Sequence, residues 1–169
     1  IASLNPPETL RWATSPTADG LPVTMRFLPY AVGANLGVRR GTFEEVGGFD
    51  ETYRGGHEEV AFAWRAQLAG HSIGFVPGAV VHYRIRADRR GLMRQRFGYG
   101  RSYARLYADF RTAGPPATPL KRELRTYVEL VRRGPREFRV GRGDAWLASL
   151  AWTAGRLVGD VDQRVRCPL

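Results

Sequence analysis

The chain has 169 residues, 43% of them hydrophobic and 25% charged, and a net charge of +10. That is room for one domain with a real core, or one and a half small ones, and the balance excludes wholesale disorder. The charge is carried almost wholly by arginine, Lys121 being the only lysine, and it points toward acidic lipid, phosphate-bearing or nucleic-acid partners.

No apolar run reaches the roughly 20 residues of a membrane-spanning helix. Cys167 is the single cysteine and has no internal disulfide partner, which fits a reducing compartment. The first residue is Ile1, and no charged leader with an apolar core follows it. The expectation is no signal peptide and a natural chain that extends upstream.

Taken in order, residues 1–30 read as a connecting region with Pro6 and Pro7, a polar stretch from Thr14 to Gly20, and a strand over 23–28. A Gly-rich segment at 33–38 ends in Arg39 and Arg40. Thr42-Phe43-Glu44-Glu45 has the form of a capping box opening a short helix, which Gly47 and Gly48 stop. Residues 58–69 have helical spacing, with Val60, Ala63, Trp64 and Leu68 on one face and Gly70 as the stop. Two β-like runs, 73–76 and 79–82, flank the turn pair Pro77-Gly78. Asp88 caps a helix reaching about Phe110, with nine arginines between Arg84 and Arg111. The breaker at 114–119 is the best linker. Further helices are expected over 120–133 and 144–158.

Glu58 and Glu59 open a helix, where backbone N–H groups and the helix dipole favour ionised carboxylates. Taken alone they read as favourable first-turn acids. His82 at a strand end could hold a metal through its neutral imidazole or serve as a hydrogen-bonded structural residue. Asn35, Arg39 and Arg40 read equally as a turn with solvated arginines. Asp50 reads as an Asx-type loop fixer, and Trp64 as core or pocket wall.

Five pieces occur in order between Gly33 and His82: Gly33-Ala34-Asn35, Arg39-Arg40, Val46-Gly47-Gly48-Phe49-Asp50-Glu51, Glu58-Glu59 with Arg65, and Pro77 through His82. Together they resemble the second half of the GT-A domain of family 2 glycosyltransferases. The resemblance implies an α/β fold: residues 1–86 as the C-terminal, acceptor-side part of a GT-A domain, and 87–169 as a basic helical tail with its linker near 114–119.

The implied activity is inverting transfer of a sugar from a nucleotide-activated donor to a hydroxyl acceptor, in bacterial cell-envelope polysaccharide or glycolipid synthesis. Glu59 would occupy the general-base position, usually Asp, with Glu58 beside it. Asn35, Arg39, Arg40, Asp50 and Trp64 would line the substrate pocket. His82 would ligate the divalent metal, Mg or Mn, of the full-length enzyme. The family's D-x-D motif should lie upstream and is absent. Asp160-Val161-Asp162 is the only such spacing and stands near the C-terminus, where it reads as accidental. The chain alone is therefore expected to be inactive, with its nucleotide-sugar site mostly missing and no metal of its own.

The implied partners are a glycan or lipid-linked hydroxyl acceptor and an anionic membrane surface; the arginine-bearing helix from Asp88 reads equally as lying on such a membrane or as docking its apolar stripe on the domain with its arginines in solvent. Gln95 is not followed by the spacing of processive synthases. Nucleic acid is not expected, because helix-turn-helix spacing, zinc ligands and RNA-binding aromatic motifs are all missing. The implied location is cytoplasmic, peripheral at the inner face of the plasma membrane. The alternative reading is a non-catalytic membrane-surface or protein-interaction module that retains the fold.

Overall fold

The computed structural model describes residues 5, 20–86, 88–117 and 119–167. The chain divides into two compact units, Ile1–Ile85 and Arg86–Leu169. The connecting stretch expected over 1–19 lies outside the described residues, apart from Asn5.

The first unit contains a 3-10 turn, Gly33–Asn35, and two helices, α1 (Arg40–Glu45) and α2 (Glu58–Leu68). Helix α1 starts three residues earlier than a capping box with Thr42 as N-cap would place it. Its N-cap is Arg39, without a side-chain cap, and Thr42 lies inside the helix. Gly47 and Gly48 do end it, at φ 78° and 64°, a left-handed conformation that only glycine adopts without steric cost. Helix α2 is the core of the unit: Val60, Ala61, Phe62, Ala63, Trp64 and Ala66 are all buried. The Trp64 indole meets Phe27 edge-on at 4.9 Å, and its N–H donates to Leu28 O at 2.8 Å.

The three expected strands are not formed. Among the described residues there is no sheet, and the sole β-pairing is an isolated antiparallel bridge, Val23–Pro29. Residues 23–28 turn back on themselves, with Phe27 N donating to Thr24 O at 3.1 Å. Residues 71–76 and 79–86 run without helix, turn or bend. Their composition is β-like, but a strand exists only where a neighbouring strand takes its backbone N–H and C=O groups. The α/β class and the GT-A assignment are corrected on this ground: the described chain is helices and irregular segments, without the sheet such a domain is built on.

The second unit has three helices, α3 (Arg89–Phe110), α4 (Leu120–Arg139) and α5 (Gly143–Gln163). Asp88 caps α3, its side chain accepting from Gly91 N. Helices α3 and α5 meet backbone to backbone. A Cβ on Gly100 would overlap the Trp152 carbonyl, one on Gly155 the Phe97 carbonyl, and one on Gly159 would lie 2.6 Å from Arg101 O. Small residues four apart create that approach, and Leu92, Tyr103, Ala104, Leu106 and Phe110 fill the core. Arg89–Asp144 (2.9 Å) ties the N-terminal ends of the two helices, and Arg101–Asp162 (2.8 Å) ties the middle of α3 to the C-terminal end of α5.

Helix α4 runs six residues past its expected end at 133, with Pro135 inside it. It rests on α5 where Gly134 lies against the Trp146 ring and the Trp146 indole donates to Leu130 O at 2.8 Å. The second tie is a buried charge network. Arg156 is fully buried and reaches Glu123 Oε1 at 2.5 Å, Cys167 O at 2.7 Å and Asp160 Oδ2 at 3.3 Å. Asp160 and Asp162, the two acids of the D-x-D spacing, are thus both spent on structural arginine pairs.

Candidate functional site

The carboxylates singled out in the sequence stand at the start of α2. Its N-cap is His57, left-handed at φ 73° and without a side-chain cap. His57 is half-buried at its surface but surrounded by dense protein, and burial pushes its pKa down to about 4, so the ring is neutral at pH 7. Glu59 lies against the Gly33–Asn35 turn, 3.5 Å from the space a Gly33 Cβ would take. Burial raises its pKa, and the neighbouring Glu58 charge adds to this against two backbone hydrogen bonds that favour the ionised form. Tyr30 shares the corner: burial raises its phenol, and the Glu59 charge raises it further. One carboxylate oxygen of Glu58, Oε2, is buried without a hydrogen-bond partner among the described residues.

The other residues expected at this site are spread over the unit. Asn35 donates from Nδ2 to Ala79 O at 2.7 Å. Arg39 borders an open groove of about 690 Å³ together with Phe62 and His71. Arg40 is exposed and pairs with Glu44 at 2.7 Å. Asp50 accepts from Thr52 N at 2.9 Å, an Asx turn. Trp64 is core, and His82 is exposed.

Among the described residues no group of three or more His, Cys, Asp or Glu side chains is placed to hold a metal ion. His82 stands exposed and outside any such group among the described residues. With neither the sheet nor a metal-holding cluster, the glycosyltransferase activity, the nucleotide-sugar donor and the hydroxyl acceptor are corrected. So is the alternative of a non-catalytic module that retains that fold.

Of the two readings of α3, membrane contact and packing of its apolar stripe, the membrane contact is corrected. The stripe of Leu92, Tyr103, Leu106 and Phe110 is buried and packs inside the second unit. The exposed apolar face belongs to α4 instead. Leu120 (48% exposed), Leu124 (53%), Val128 (48%), Val131 (65%) and Phe138 (53%) follow one side of the helix at three- and four-residue spacing. At about 100° per residue, Lys121, Arg125, Arg132, Arg136 and Arg139 fall on the adjoining strip. Arg125 pairs with Glu129 at 2.9 Å. Arg132, Arg133, Arg136 and Arg139 have no ion pair among the described residues.

The opposite edge of the stripe carries Glu123, Tyr127, Leu130 and Gly134, the edge turned to α5. Helix α5 has an exposed stripe of its own: Leu150, Leu157, Val158 and Val161. A short turn joins α4 to α5, so they run antiparallel. On each helix the apolar stripe stands about a quarter turn from the mutual contact, in senses that bring both stripes to one side of the hairpin.

Sequence reasoning placed a helix over 120–133 but did not single out its apolar stripe. The signal that could have found it is the spacing of Leu120, Leu124, Val128 and Val131, interleaved with arginines. No described helix is long and apolar enough to cross a membrane. No family model matches the chain, and neither does any curated protein or solved structure.

Proposed function

We propose that this chain is a peripheral membrane-docking protein, lying on the anionic leaflet that faces the cytoplasm with the apolar stripe of α4 in the headgroup boundary. The observation that carries the reading is an unburied apolar stripe bordered by a strip of arginines. The hydrocarbon side chains gain by leaving water, and the guanidinium groups remain at the level of lipid phosphates. Val131 and Phe138, with the unpaired Arg132, Arg136 and Arg139 beside them, make the C-terminal half of α4 the deeper-lying end. The second stripe on α5 widens the same face.

Flotation of the purified chain with phosphatidylglycerol-containing vesicles, against phosphatidylcholine alone, tests this. The chain should float with the anionic vesicles and separate from them as salt rises. Replacing Arg132, Arg136 and Arg139 by Gln should weaken binding on the order of 10²-fold, from about 1 kcal/mol per surface cation. Val131→Asp with Phe138→Asp should abolish binding while helix content is kept. Equal binding to neutral vesicles, or no binding to either, would discard the proposal.

A further inference from the structure

The cations along α4 are not equivalent. In the N-terminal half Arg125 is neutralised by Glu129 at 2.9 Å. In the C-terminal half Arg132, Arg136 and Arg139 are exposed and have no ion pair among the described residues. The acid of that half, Glu137, falls about 100° round the helix from Arg136 and is taken by Arg142 at 3.0 Å.

Arg132, Arg136 and Arg139 follow one another at four- and three-residue spacing, so they line one strip over about 10 Å of helix. Like charges at these spacings repel and weaken a helix. The helix dipole offsets this for Arg136 and Arg139 in the last turn, but its effect fades within that turn and does not reach Arg132. The repulsion is relieved when the three guanidinium groups share an anion of more than one charge.

Depth and hydrogen-bond geometry decide which anion. Val131 precedes Arg132 and Phe138 precedes Arg139, so with the apolar stripe in the bilayer boundary the guanidinium groups lie at the level of the lipid phosphates. Each guanidinium is a fork of parallel N–H donors that matches two oxygens of a phosphate. A phosphodiester headgroup offers a single charge, and its alcohol covers the outward side. A phosphomonoester carries close to two charges and three accepting oxygens, enough to be shared by neighbouring forks.

We propose, resting on the membrane-docking reading, that Arg132, Arg136 and Arg139 form a binding site for a lipid whose headgroup is a bare phosphomonoester, as in phosphatidic acid. Arg133 is equally unpaired but lies on the side of α4 turned away from the apolar stripe, and it takes no part.

The test is vesicle flotation at pH 8 and matched surface charge, with phosphatidic acid at half the mole fraction of phosphatidylglycerol in phosphatidylcholine. The chain should bind the phosphatidic acid vesicles on the order of tenfold tighter. Arg132→Lys, Arg136→Lys and Arg139→Lys together keep every charge and a good helix former at each position but remove the forks. That variant should bind the phosphatidylglycerol vesicles as the native chain does and lose the preference, whereas Arg133→Lys should keep it. Soluble glycerol 3-phosphate, at the concentration of the phosphatidic acid headgroups, should not release the chain, because it is not held at the bilayer surface. Release by it would overturn the lipid assignment in favour of a free phosphate ester. Equal binding at matched charge, a preference that survives the three lysines, or its loss in Arg133→Lys would each overturn this site and leave membrane docking standing. No binding to either kind of vesicle would discard docking and this site together.

Discussion

Glu59 is where position and environment pull against each other. A first-turn carboxylate gains from the helix dipole, yet burial against the Gly33–Asn35 turn raises its pKa. A group whose folded pKa is raised contributes stability below its unfolded pKa and loses it as pH climbs through the folded value. Glu59→Gln should therefore raise the urea midpoint at pH 8 and leave it almost unchanged near pH 4. A lower midpoint at pH 8 would mean that the ionised carboxylate is net stabilising. That Glu58 and Glu59 open a helix was legible from the sequence, because Gly55, Gly56 and the spacing of α2 are local signals. That Glu59 meets Gly33 and Tyr30, some thirty residues upstream, was not, because no local pattern encodes which loop folds over a helix start. The Arg156 network was hidden for the same reason: Glu123 lies 33 residues away from it.

At the scale of elements, helices were read well and strands were not. Asp88, the stripe from Leu92 to Phe110 and the glycine stops report conformations that a segment adopts by itself. Residues 73–76 and 79–82 are rich in Val and Phe, but their hydrogen-bond partners must come from elsewhere in the fold, so composition alone overstated them. Helix α4 continues past its expected end at 133 because tertiary contacts on both sides of Pro135, at Gly134 and at Phe138 against Trp146 (5.7 Å between ring centroids), outweigh one lost backbone bond. The α3–α5 contact gives the sharpest prediction at this scale. Gly155→Ala would drive a methyl into the Phe97 carbonyl. Backbone cannot move aside as a flexible side chain can, and the loss should be roughly 2–4 kcal/mol. Ala154→Ser on the exposed face should stay within about 0.5 kcal/mol. Equal midpoints for the two variants in chemical denaturation would contradict the close helix approach.

For the whole molecule, the division at Ile85 and Arg86 predicts that unfolding is not a single cooperative step. Far-ultraviolet circular dichroism, dominated by the long helices of the second unit, and the Trp64 indole N–H resonance of the first, resolved from those of the other three tryptophans, should report different urea midpoints. Coincident midpoints would show that the units melt as one body. The Arg156 network bears on how this molecule can change over generations. Removing one member of a buried ion cluster costs about 3–5 kcal/mol, while replacing all members together by well-packed apolar residues is often neutral or better. Arg156, Glu123 and Asp160 therefore sit on opposite sides of a trough that no single substitution crosses cheaply. Lineages descended from this sequence should inherit the trio intact or lose it together, so that an early accident of packing becomes a fixed commitment of the fold.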